Sequence, residues 1–68
     1  MTLNTFKAAV RTLDTKADYL LLAQGVRHMQ DAGLSEREIY RAALAVSPDL
    51  SLDTWRDQVK TAFEKHPA

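Results

Sequence analysis

Residues 32–63 read AGLSEREIYRAALAVSPDLSLDTWRDQVKTAF, and two complete helix beginnings lie within them. In the first, Ser35 is placed to cap, Glu38 follows three residues later to close a capping box, and Leu34 and Ile39 have the N′ and N4 spacing of a hydrophobic staple. In the second, Ser51 caps and Leu50 and Trp55 repeat the staple spacing. These signals predict helices over 36–46 and 52–65. Pro48 ends the first, because proline disfavours the α region at the residue before it. Leu52, Trp55, Val59, Ala62 and Phe63 fall on the apolar face of the second, and His66, Pro67 and Ala68 follow as a frayed end.

Moving towards the N-terminus, Gly33 marks the end of an earlier helix as its left-handed residue. That helix is expected to begin near Thr15, where Thr15 and Asp18 have capping-box spacing, giving a span of about 16–32. At 100° per residue, Tyr19, Leu21, Leu22, Ala23, Val26, Met29 and Ala32 cover an arc of roughly 200°, wider than one neighbour can bury. This helix should therefore be central. Gly25 in its middle costs about 1 kcal/mol relative to alanine, which points first to the close approach of another helix there and, as the alternative, to a functional hinge. A first short helix, about 5–13, carries Leu3, Phe6, Val10 and Leu13 on one narrow face, with Asn4 or Thr2 as its cap. No segment alternates apolar and polar residues over the length of a strand. The expected fold is all-α: a compact bundle of four short helices forming one small domain.

A chain of 68 residues buries only about 60% of the surface its unfolded form exposes, so stability must come from helix packing. Cysteine is absent, which rules out disulfides and thiolate metal sites and fits a reducing, cytoplasmic setting. The longest apolar run, residues 19–23, is far too short to span a membrane. Nine basic side chains balance nine acidic ones. Neither half departs from neutrality by more than one charge, so the excess of positive charge common to strong nucleic-acid binders is missing.

The order of glycine, capped helix, break and second capped helix nevertheless resembles the helix-turn-helix modules of small plasmid and mobile-element DNA-binding proteins. Gly33, Ser35, Ile39, Leu44, Ser51, Thr54, Trp55 and Arg56 carry the resemblance, which extends over about residues 26–63. It implies a regulatory protein that binds double-stranded DNA, with 52–65 as the recognition helix. Arg56 and Thr54 would then approach bases, while Arg37, Arg41 and Lys60 would position the phosphate backbone.

The residues themselves also support a different class. Around the fourth helix, Asp53, Asp57, Thr61 and Glu64 occupy the direction farthest from the core, so an acidic ridge would meet phosphate first. Leu20, Tyr40 and Leu44 lie off the main apolar lines of their helices. With Asp53, Asp57 and Glu64 they form the surface expected of a helical module that binds another protein. The aliphatic content of so short a chain makes a homodimer a further expectation. Trp55 could stack on bases, but its spacing with Leu52, Val59 and Phe63 places it in the core. His28 and Asp31, one turn apart, offer too few ligands for a metal. Ser35 and Ser51 are committed as caps and no glycine-rich phosphate loop is present, so neither an enzyme nor a cofactor is expected.

Overall fold

The computed structural model describes residues 3–68, which form four helices: α1 (Leu3–Thr12), α2 (Tyr19–Asp31), α3 (Glu36–Val46) and α4 (Leu52–Lys65). The protein is all-α, as the periodicity requires. The bounds of α3 and α4 coincide with those read from their caps. Ser35 Oγ accepts from Glu38 N at 3.2 Å while Glu38 Oε1 accepts from Ser35 N at 3.0 Å, so the capping box is closed in both directions. Ser51 Oγ accepts from Thr54 N at 3.1 Å. The staple residues Leu34, Leu50, Ile39 and Trp55 all belong to the core or pack against it.

At the end of α2, Gly33 has φ of 91°, donates to Gln30 O at 2.9 Å, and is followed by Leu34 N donating to Met29 O at 3.1 Å. These two bonds make a Schellman motif, in which the left-handed residue lets the chain turn back and satisfy the last carbonyls.

The beginnings of α1 and α2 differ from expectation. Asn4 lies inside α1, so it is not a cap, and Thr2 lies outside the described residues. Asp18, rather than Thr15, caps α2, its Oδ1 accepting from Leu21 N at 3.0 Å. The reason is that Thr15 is already engaged at the end of α1, where its backbone N–H donates to Thr12 O at 3.1 Å. Thr12 Oγ1 then donates to Ala9 O at 2.7 Å and accepts from Asp18 N at 2.9 Å, tying the end of one helix to the start of the next. A threonine used to finish one helix cannot also begin another.

The core consists of Phe6, Ala9 and Val10 from α1, Leu22, Ala23, Val26 and Met29 from α2, Ile39 and Ala43 from α3, and Trp55 and Ala62 from α4. Helix α2 is central, packing on all three others, most extensively on α1 and α4. Three apolar residues depart from the faces assigned to them: Leu3 is exposed, Leu52 is 36% exposed, and Ala32 is exposed. All three sit at helix ends, Leu3 and Leu52 in opening turns and Ala32 as the C-cap of α2.

Gly25 marks the closest approach of α1 and α2. A β-carbon placed there would lie 3.1 Å from the Cα of Phe6 and 3.3 Å from its Cβ. Phe6 in turn meets Trp55 edge to face, with ring centroids 6.0 Å apart and planes at 83°, a geometry worth about 0.5–1.5 kcal/mol beyond the area buried. On the opposite side, Arg27 lies over the Phe63 ring at 4.6 Å and Lys65 over the Tyr19 ring at 5.6 Å, so charged side chains cover the seam of α2 and α4.

Two outcomes follow from these contacts. In an open helix Gly→Ala gains about 1 kcal/mol. Here the atom in the way is backbone, so Gly25→Ala is expected to destabilise by about 1–3 kcal/mol. Thermal melts would show this as a drop of about 4–8 °C per kcal/mol, and an increase in melting temperature would contradict the close approach. The second concerns pH. The backbone N–H of Ser35, and then its hydroxyl, hold the Glu38 carboxyl below its ordinary value. A depressed pKa contributes stability above the unfolded value, about 4.3 for glutamate, and loses it as pH falls through the folded value. Melting temperatures of the parent and of Glu38→Gln should therefore converge on acidification from neutral pH, since the amide keeps its acceptor when the carboxylate is protonated.

Candidate functional site

Helix α4 packs on α2 through its core face, and at the surface an ion pair joins it to the start of α3. Arg56 Nε donates to Glu36 Oε1 at 2.5 Å, and this bond raises the Arg56 pKa above its ordinary value. The two side chains are 58% and 60% exposed, so the pair is solvated and adds little to stability. Its effect is one of position: it pins Arg56 across the opening between the helices and divides the surface into two grooves.

The first groove, about 600 Å³, runs between α2 and α4. Val26, Ile39, Trp55, Val59 and Phe63 form its apolar floor, and Gln30, Glu36, Arg56, Lys60 and Glu64 its rim. Two cations face two carboxylates there. The second groove, about 540 Å³, lies between α3 and the start of α4. Tyr40, Leu44 and Leu52 supply apolar surface, while Arg37, Arg41 and Arg56 stand against a single carboxylate, Glu36.

The residues singled out from sequence thus fall into a pattern that sequence did not show. Arg37, Arg41 and Arg56, chosen as DNA contacts, share one groove with Tyr40 and Leu44, chosen as a protein surface. Lys60 faces the other groove together with Glu64. Thr54 is engaged by its own cap, its Oγ1 accepting from Ser51 Oγ at 2.8 Å. Asp53 and Asp57 are exposed on α4. Leu20 is 48% exposed on α2, outside the lining of either groove. Trp55 is 2% exposed, a core residue whose edge contributes to a groove floor. Among the described residues, no three histidine or carboxylate side chains converge as a metal site would need.

Glu36 is the functional position that sequence reasoning passed over. It reads as an ordinary first-turn carboxylate favoured by the helix dipole. Nothing in the order of residues links it to Arg56, twenty positions later.

Tyr40 is more than a surface aromatic. Its hydroxyl donates to Leu50 O at 2.6 Å, fixing the turn in which Leu50 N donates to Ser47 O at 3.1 Å around Pro48 and Asp49. Proline at the second position of such a turn presets its φ. The clasp sets where Ser51, and therefore α4, begins.

No protein-family model, curated protein or solved structure matches the chain. Among the described residues, no helix is long and apolar enough to cross a membrane.

The clasp can be tested directly. Tyr40→Phe removes one hydrogen bond and leaves the ring, so it should cost about 0.5–1.5 kcal/mol by denaturant unfolding. Amide hydrogen exchange should accelerate at 50–52 more than in α1.

Proposed function

We propose that this protein is a non-catalytic helical module that binds another protein through the face divided by Glu36 and Arg56. One observation carries the reading: the cations of α4 on this face are matched by carboxylates, Arg56 paired with Glu36 and Lys60 sharing its groove with Glu64, and both grooves have apolar floors. Glu36 lines the groove together with Arg37 and Arg56, and it takes up the Arg56 guanidinium. The opening turns of α4 present Asp53 and Asp57 to solvent. Phosphate binding draws its free energy from cations that displace counterions, and such a mixture supplies few of them. Protein surfaces, in contrast, pair apolar floors with polar rims of both signs.

A second reading keeps a specific observation in its favour. Arg37, Arg41 and Arg56 do share one surface at the junction of α3 and α4, where a helix-turn-helix module would meet DNA. On that reading Arg56 approaches bases, Thr54 assists, and Arg37, Arg41 and Lys60 position the backbone.

A titration of labelled duplex at about 50 mM salt, where electrostatic binding is exaggerated, separates the two. The interaction-module reading expects no saturable binding by the parent, or by Asp57→Asn with one repulsive charge removed, up to about 100 µM protein. Saturable binding that weakens on Arg56→Ala and strengthens on Asp57→Asn would replace this reading with the DNA one. In a parallel capture from cell extract, the parent should retain a partner that Arg56→Ala loses.

A further inference from the structure

We propose that the groove between α3 and α4 accepts an acidic amphipathic helix of another protein, with apolar side chains seated on Tyr40, Leu44 and Leu52 and flanking carboxylates paired with Arg37 and Arg41. The inference rests on the interaction-module reading and adds the chemistry of the partner.

Charge distinguishes the two grooves. Between α2 and α4, Arg56 and Lys60 face Glu36 and Glu64, so that rim has no net preference. Between α3 and α4, three arginines face one glutamate, leaving two positive charges in excess on a chain whose total is zero. Arg56 is held by Glu36, so the excess resides on Arg37 and Arg41. Both are exposed, and among the described residues neither makes a salt bridge, Arg41 meeting Glu38 only through longer-range attraction. They stand four residues apart on α3, about 6 Å along the helix axis. Two carboxylates one turn apart on a partner helix have the same rise, and a guanidinium binds a carboxylate through two parallel hydrogen bonds.

The floor requires apolar chemistry as well. Leu52 is 36% exposed although it sits in a well-capped helix beside the buried Trp55. Leu44 and Tyr40 are half-buried next to it in the same lining. A leucine-bearing helix laid in this groove covers that surface, as amphipathic helices do in helix-in-groove recognition. DNA would leave the floor uncovered and bring phosphate against Glu36. A second copy of this chain is poorly suited as the occupant. Its other strongly exposed leucines, among the described residues, lack acidic flanks one turn away: Leu3 is followed by Lys7 and Leu20 by Gln24.

The test uses a displayed library of helical peptides of about four turns, a common helix length, with leucines fixed at helical spacing and glutamate or lysine encoded at each flanking position. Selection on the parent should enrich glutamate. Selection on the exposed double variant Arg37→Glu with Arg41→Glu, shown to be folded by an unchanged melt, should enrich lysine. Peptides chosen on the parent should lose at least about tenfold in affinity for the double variant, as expected for close interfacial charge pairs. Absence of enrichment, or the same charge preference on both proteins, overturns the proposal. Selected peptides that survive the double reversal but are lost on Lys60→Glu overturn it while leaving the interaction-module reading intact, since the other groove is then the site. A concentration-dependent dimer in sedimentation, dissociated by the double reversal, overturns it in favour of a second copy. Absence of enrichment together with saturable duplex binding overturns both readings.

Discussion

The packing of α1 against α2 at Gly25 is the contact on which the remaining geometry depends. A β-carbon at that position would stand 3.1 Å from the Cα of Phe6, so any other residue requires the two helices to shift apart by a few tenths of an ångström. The approach seats the Phe6 ring within the bundle, where it meets the edge of Trp55. Trp55 lies in the second turn of α4, and its burial therefore fixes α4 against α2. Three of the four helices are oriented by this one chain of contacts. A domain this small has few others to fall back on.

Once α4 is held by Trp55, its first turn follows directly on the turn that joins it to α3. Tyr40 fixes that turn through Leu50 O, and Ser51 begins the helix immediately afterwards. Two grooves are the geometric result. Arg56, one residue after the buried tryptophan, points into the space between them and is received there by Glu36. The candidate site is thus a consequence of core packing. The same helix face that hides Trp55 determines which neighbours are left at the surface.

The electrostatic character of the face follows from the same arrangement. The exposed side of α4 carries Asp53 in its first turn, where the dipole favours it, and Asp57 one turn later. Of the three arginines in the α3–α4 groove, Arg56 is paired with Glu36, and the other two, Arg37 and Arg41, stand on α3, outside the helix that a helix-turn-helix module would insert into DNA.

Sequence alone determined the elements whose signals are local. The caps at Ser35 and Ser51, the left-handed Gly33 and the stop at Pro48 each act within a few residues, and the bounds of α3 and α4 follow from them. The central place of α2 and the meaning of Gly25 were also legible, because a wide apolar arc interrupted by a glycine has few other physical explanations. The start of α2 was less so. Thr15 and Asp18 both make good caps, and only the turn closing α1 decided between them. Tertiary structure alone brought Glu36 to Arg56, Tyr40 to Leu50 O, and the candidate DNA contacts into one groove with the candidate protein surface. The two hydrogen bonds join residues ten and twenty positions apart, α3 to the turn at Leu50 in one case and α3 to α4 in the other. Their distances depend on how helix axes cross, which is set by side-chain volumes summed over the whole core and leaves no periodic mark in the order of residues.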